Sequence, residues 1–305
     1  VILPQEFWKG HNGKEDNIKK VVIFLVFFLF IVNLSFGNLC QPPQIPKNPT
    51  ADELMKAWFE IKFTRYGDDI TYPDLTVIML DKSGFKREKK CVRKRIILHD
   101  ERGFDYKDLI VITAPEYTKG VAILTWAYTD INKQNDVWLW LPSLKKIRKV
   151  SQAEEDDSFL GTEFSVEDIS TRRYGYETYK LIGEGVFSGY KSKVDNKTYG
   201  AGIVCYRVEA RPKKKNWYYQ KRIVWVDKKT GAAIFDEYYD KKDRKFKVIF
   251  RDFAYPKDGC WRAILWEVHN FLTGHTDVIL LPNCTFNQDI SEKELSPRVL
   301  ERQQW

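Results

Sequence analysis

The 305-residue sequence predicts a mainly β fold of the α+β class, with few helices arranged on a wide antiparallel sheet. Three observations carry that expectation. Aromatic residues make up 15% of the chain, and together with β-branched residues they suit a pleated, half-buried surface. Short apolar or alternating runs recur with polar turns between them, as in sequential hairpins. Only one stretch, around Leu54, repeats apolar residues at clear helical spacing.

The first element in chain order is a targeting signal. Lys19 and Lys20 precede the apolar run "VVIFLVFFLFIV", and Ser35 and Gly37 follow as a small-x-small pattern, the layout of a secretory signal peptide. The run is shorter than the roughly 20 residues of a membrane span. Cleavage is expected after Gly37, so residues 1–37 are read as a signal with a long N-terminal extension and residues 38–305 as a single domain. Leu39 before Cys40 disfavours a lipidated cysteine, because that position calls for a small residue.

Thr50 and Glu53 form a capping box ahead of Leu54, Trp58 and Ile61, which predicts one amphipathic helix. "LTVIML", the turn "DKSG" and "KREKKCVRKRIILH" read as a hairpin. "DLIVITAP", "VAILTWAYTD" and "VWLWLP" continue the pattern. "YQKRIVWVDKKTGAAIFDEYYDKKDRKFKVIFRDFAYP" reads as three strands, and "CWRAILWEVHNFLTGHTDVILL" as another pair. About nine to eleven strands are expected, and a meander that wide must twist, curl or close to manage its edges.

Alternation in "IVCYRVEA" places Val204, Tyr206 and Val208 on an apolar face and Cys205, Arg207 and Glu209 on a wet one. "VWLWLP" is apolar on both faces, so a helix or lid should cover it. "EEDDSFLGTEFSVEDIS" admits a second short helix, and "SEKELSPRVLERQQW" is expected to end the chain as a polar turn or a short helix interrupted by Pro297.

The net charge of +8 fits anionic lipid headgroups or nucleic acid, and export argues against nucleic acid. "RPKKKNWYYQKR" is therefore read as a solvated basic turn leading into a strand. Of the five cysteines, Cys40, Cys91, Cys205, Cys260 and Cys284, the candidate pair is Cys260 with Cys284, at the ends of neighbouring predicted strands. An oxidising compartment permits such bridges.

A catalytic role for Ser158 requires a base. Beyond the signal, His99, His269 and His275 are the histidines available, and none belongs to a nucleophile motif. Asp156 with Asp168 could form an acid-base pair, but acids in a polar loop more often cap backbone amides. "EEDDS" lacks the ligand spacing of a calcium loop, and "GEGVFSG" has no helix after it to make a phosphate cradle. No catalytic residue, metal or cofactor is expected.

The stretch "DVWLWLPSLKKIRKVSQAEEDDSFLGTEFSVEDIS" resembles the central signature of the outer-membrane lipoprotein-sorting protein family, of the LolA/LolB/RseB-like superfamily. The resemblance rests on Leu141 and Pro142, the basic Lys145–Lys149 stretch, and Asp157, Ser158, Phe159, Gly161, Thr162, Glu163, Phe164, Val166, Glu167 and Asp168. Leu160 and Val166 stand where Met and Tyr are frequent, both apolar exchanges. Similarity extends from "ADELM" through "APEYTKGVAIL" to "VIFRDF".

The resemblance implies a curved, incompletely closed antiparallel sheet, a half-barrel, with a helical lid over an apolar cavity. It also implies a periplasmic carrier of lipid or lipoprotein acyl chains, with no enzymatic activity and possibly supplied by an inner-membrane transporter of the RND type; a lipid-detecting sensor with a membrane partner is the alternative. The expected cavity or mouth residues are Leu54, Trp58, Ile61, Trp138, Trp140, Phe159, Phe164, Val204, Tyr206, Val208 and Val224. Asp156, Asp157, Ser158, Gly161, Thr162 and Asp168 are expected to cap and orient backbone in the signature loop.

Overall fold

A single amphipathic helix, α1 (Ala51–Lys62), precedes the sheet. Its start is fixed by reciprocal hydrogen bonds: the Glu53 amide donates to Thr50 Oγ1 and the Thr50 amide to Glu53 Oε2. Leu54, Met55, Trp58 and Ile61 form its buried stripe, each stabilising by about 1.5–3 kcal/mol on burial. The computed structural model describes residues 43–63, 65, 67–150, 156–254 and 262–305. The expected signal peptide, Cys40 and Cys260 lie outside the described residues, and so does the expected Cys260–Cys284 pair.

Six strands follow α1: β1 (Asp69–Leu80), β2 (Lys86–Glu101), β3 (Phe104–Ala114), β4 (Ala122–Tyr128), β5 (Asp136–Leu141) and β6 (Lys146–Val150). After the signature segment come β7 (Glu177–Val186), the small hairpin β8 (Tyr190–Lys191) and β9 (Thr198–Tyr199), then β10 (Val204–Pro212), β11 (Lys221–Asp227) and β12 (Ala233–Tyr239). The last four are β13 (Lys245–Ala254), β14 (Arg262–Asn270), β15 (Thr276–Leu280) and β16 (Thr285–Phe286). Among the described residues the main sheet has 14 strands, ordered β6-β5-β4-β3-β2-β1-β15-β14-β13-β12-β11-β10-β7, with β16 also beside β1. This exceeds the expected nine to eleven, because the polar stretches of β6 and β7 and the two-residue β16 also pair into the sheet.

The sheet consists of two meanders joined by the antiparallel pair β1 and β15, with Val77 opposite Ile279. Its path ends on β6 and β7, so the sheet is open and forms the expected half-barrel with a helical lid. Along β2 and β3, Cys91, Ile110 and Ile112 belong to one core, and Ile96, Leu109 and Val111 to another. Period-two alternation therefore gives the sheet an inner and an outer apolar face, and both are covered.

α1 packs on the inner face against Tyr206, Val208, Val224 and Val226. At Gly231, φ is +74° and a Cβ would lie 2.6 Å from Ile45 Cδ1, so the turn after β11 closes on the residues leading into α1 only with glycine there. On the outer face the C-terminal segment covers β2–β5. A 3-10 turn (Glu292–Leu295) runs into α2 (Pro297–Arg302), and Leu295 and Leu300 are fully buried beside Trp140. Lys94 and Lys107 bind Glu294 and Glu292 at 3.0 and 2.6 Å.

Several expectations are corrected here. Pro297 starts α2 instead of interrupting it, since a first-turn residue needs no amide donor. Trp138 and Trp140 lie on the outer face, where Trp138 meets Trp126 edge-on and Trp140 packs with the C-terminal segment. Val204 opens β10 and is 48% exposed, beyond the reach of α1. Cys205 is fully buried because Phe187 and Tyr190, flanking the β8–β9 hairpin, cover its face. The basic connection before β11 is not simply solvated, because Trp217 and Tyr219 turn inward and are buried. The signature segment holds a single π-helical turn (Glu167–Thr171) in place of a regular short helix.

Candidate functional site

The signature segment is the chain's crossing from the first meander to the second, and it lies against the inner face. Its tip is a two-residue reverse turn. The Thr162 amide donates to the Phe159 carbonyl at 3.0 Å and the Phe159 amide to the Phe164 carbonyl at 2.8 Å. Leu160 and Gly161 take φ of +54° and +81°, as a type I′ hairpin turn requires. Glycine is the natural second residue; Leu160 bears backbone strain and in return packs against the inner core. Lys89 Nζ caps the Leu160 carbonyl at 2.6 Å.

Side chains in the segment are committed to holding it. Ser158 Oγ donates to the Thr162 carbonyl at 2.7 Å, and Thr162 Oγ1 donates to the Phe159 carbonyl at 2.6 Å. Glu163 accepts from Asn270 Nδ2 at 2.6 Å and Thr273 Oγ1 at 2.9 Å, tying the tip to the β14–β15 turn. Asp277 accepts the Glu163 amide. Burial, opposed by that bond and reinforced by the Glu163 charge, pushes the Asp277 carboxyl up to about 6.

At the other end the segment is anchored by a buried ionic cluster. Asp168, with no exposed surface, accepts from the Ser165 amide at 3.0 Å, Arg172 at 3.1 Å, Tyr238 at 2.7 Å and Lys247 at 2.7 Å. Burial acts to raise its carboxyl, but Lys247 and Arg172 outweigh this and hold it well below the usual carboxylate range. Glu167 accepts from Arg172 and Trp217 Nε1, both at 3.0 Å. A second cluster beneath α1 links Arg222 to Glu177 through two 2.7 Å bonds, while Arg222 and Arg251 share Asp236.

Between sheet, helix and turn lies a hollow lined by Ile61, Lys62, Ile70, Tyr72, Leu75, Arg93, Arg95, Ile110, Phe159, Leu160, Ile169, Phe253, Ala263, Trp266, Ile279 and Leu281. Its cavity volume is about 40 Å³. That is far below the roughly 300–1,000 Å³ of a formed ligand pocket, so the hollow is narrow and the Phe159–Leu160 turn occupies part of its wall.

The lining is apolar apart from cations and donors. Arg93 grips Asp108 at 2.7–3.2 Å and Arg95 reaches the same carboxylate at 3.0 Å. Burial opposes ionisation of Asp108, but the two guanidiniums bring it down to about 2. Lys62 Nζ donates to the Glu167 carbonyl at 3.4 Å and lies 4.9 Å from the centre of the Phe63 ring. Burial, with Arg172 and Arg251 close by, pushes its ammonium well below the usual lysine range.

Of the residues singled out from sequence, Ile61 and Phe159 line the hollow. Leu54 and Trp58 of α1 pack against Tyr206, Val208 and Val224 on the sheet. Phe164 is fully buried behind the turn, 6.4 Å from Trp266. Asp156, Asp157, Ser158 and Gly161 are exposed, whereas Thr162 and Asp168 are buried. Among the described residues no histidine hydrogen-bonds Ser158.

Sequence reasoning missed Arg93, Arg95 and Asp108. Their signal was present: Arg93 and Arg95 share the parity of Cys91 and Ile97, and Asp108 that of Ile110 and Ile112, which places charges in an inward phase. It also missed Lys247, Tyr238 and Arg172 as partners of Asp168. Only the spacing of Arg172, four residues after Asp168, gave a local hint.

A family model described as that of an uncharacterized protein matches residues 105–302. No curated protein matches the chain. Among solved structures, a DUF1329 family protein from Desulfovibrio piger is 25% identical with a TM-score of 0.66, covering 80% of this chain and 98% of its own. An outer membrane lipoprotein-sorting protein domain from Vibrio parahaemolyticus is 23% identical with a TM-score of 0.65, covering 77% and 92%. A LolA superfamily protein from Nitrosomonas europaea is 18% identical with a TM-score of 0.57, covering 82% and 99%. With its open antiparallel sheet, inner-face helix and crossing signature turn, the chain belongs to the DUF1329 family, and it shares its fold with the lipoprotein-sorting domain and the LolA superfamily protein.

Proposed function

We propose that this protein is a periplasmic carrier that hides an acyl chain on the inner face of the half-barrel during transfer towards the outer membrane. One observation carries the reading: the hollow bounded by β-strands, α1 and the Phe159–Leu160 turn is lined mainly by apolar side chains. Exposing a 16-carbon chain to water costs about 12 kcal/mol, at about 0.8 kcal/mol per CH₂. Contact with Ile70, Leu75, Ile110, Ile279 and Leu281 removes that cost without any covalent step.

A cavity of about 40 Å³ is too small for an acyl chain, so uptake requires its wall to move. Loading displaces the Phe159–Leu160 turn, whose hairpin is held at its tip by Lys89 and Glu163 and at its base by Asp168. The base is buried and ionic, and the tip is tied by surface hydrogen bonds. The tip therefore moves first.

The test is lipid extraction and native mass spectrometry of the mature protein purified from its own cell envelope. One acyl-bearing lipid per chain is the expected result, unchanged in Ser158→Ala. Protein that carries no lipid, and takes none from vesicles of its own membranes, overturns the reading. The expected donor, an inner-membrane transporter of the RND type, is tested by crosslinking in cells.

A further inference from the structure

The hollow is more than an apolar slot, because its polar groups are nearly all donors. Arg93, Arg95 and Lys62 line it, and Asp108 is the carboxylate among the lining residues and their direct partners. One carboxylate cannot neutralise two guanidiniums, and charge without a counter-ion in such surroundings is costly. Arg95 is only 4% exposed, stacks 4.4 Å from the Tyr106 ring, and has no hydrogen-bond partner at Nε. Across the hollow, buried Trp266 also lacks a partner at Nε1. Buried donors are rarely left unmet, and an acceptor arriving with a ligand would meet both.

We propose that the hollow selects a single-chain amphiphile with an anionic head group, a carboxylate or phosphate monoester, which Arg93 and Arg95 receive while the hydrocarbon takes the place of the Phe159–Leu160 turn. This rests on the acyl-chain reading of the hollow and narrows it. A guanidinium pair already aligned on Asp108 offers a fixed fork to a second oxyanion. A neutral head group leaves the surplus positive charge and the orphaned donors unanswered.

The test compares ligands with the same chain. Delipidated mature protein is titrated with palmitate, methyl palmitate and hexadecanol, and separately with acetate and inorganic phosphate. Palmitate is expected to bind at least about tenfold more tightly than its methyl ester, the scale of one hydrogen bond to a charged group. In Arg93→Gln that preference falls towards one, and Arg93→Lys restores part of it.

Equal affinity for palmitate and its ester overturns the head-group proposal and leaves the acyl-chain reading standing. Failure of all three long-chain ligands to bind overturns both. Acetate or phosphate binding as tightly as palmitate marks a free-anion site and refutes a role for the chain. The acid–ester comparison needs no variant, so poor folding of Arg93→Gln does not remove the test.

Discussion

Replacing Asp168 with Asn tests whether the signature segment is held by buried charge. The side chain keeps its shape but loses its charge, and its new amide faces Arg172 and Lys247, which now donate to Asp168 at 3.1 and 2.7 Å. Breaking a buried pair by neutralising one partner costs about 3–5 kcal/mol, mostly for the stranded cation. For a domain of this size that lowers Tm by roughly 10 °C, at about 2–4 °C per kcal/mol.

Lys247→Met alone costs less, because Asp168 keeps Arg172. The double variant costs less than the sum, since the cation stranded by the first change is gone. Urea unfolding followed by tryptophan fluorescence measures all three, and Trp217, bonded to Glu167, reports locally. Because the Asp168 carboxyl sits well below its ordinary 3.8, its stabilising contribution is fully present above about pH 4 and is lost only as pH falls through the depressed value. The penalty of Asp168→Asn should therefore be the same at pH 5 and pH 8. A loss below about 1 kcal/mol, or strict additivity in the double variant, would refute the claim that this cluster anchors the segment.

Other outcomes follow from the same geometry. Asp277 has the opposite sign: its carboxyl is raised from 3.8 to about 6, so stability is fullest below about pH 4 and falls as pH rises through 6. Asp277→Asn, which keeps an oxygen for the Glu163 amide, should be more stable than wild type at pH 8 by up to about 3 kcal/mol; unfolding at pH 4 should show no difference, and an equal gain at both pH values defeats the assignment. Phe159→Ala widens the hollow and should cost about 3 kcal/mol while speeding uptake of a fluorescent acyl probe in stopped-flow mixing; unchanged uptake argues against the turn as the moving wall. Ser158→Ala removes a neutral bond worth about 1 kcal/mol and should leave bound-lipid yield as it is, whereas loss of lipid turnover would revive a catalytic serine.

Local pattern was enough for α1, since its capping box and apolar stripe act within one helix, and for the turns between neighbouring strands. Signature residues were legible as a unit, because Phe159, Gly161 and Phe164 sit in one hairpin whose turn demands a residue free to adopt positive φ. Trp138 and Trp140 were misplaced for an equally physical reason: an apolar strand reads alike on both faces, and alternation does not say which face the C-terminal segment will take. The role of Asp168 was legible only as a polar loop acid, since Tyr238 and Lys247 come from strands 70 and 79 residues away.

What the sequence by itself determined is the class of the fold and its local grammar: one helix, many hairpins and a specific turn, all set by interactions over a few residues. Tertiary structure alone decided the seam between β1 and β15, the two covered faces, and the hollow with Arg93 and Arg95 in its wall and Asp108 behind them. Those depend on pairing chain segments about 200 residues apart, and no local propensity selects between such distant partners; the burial of both faces does.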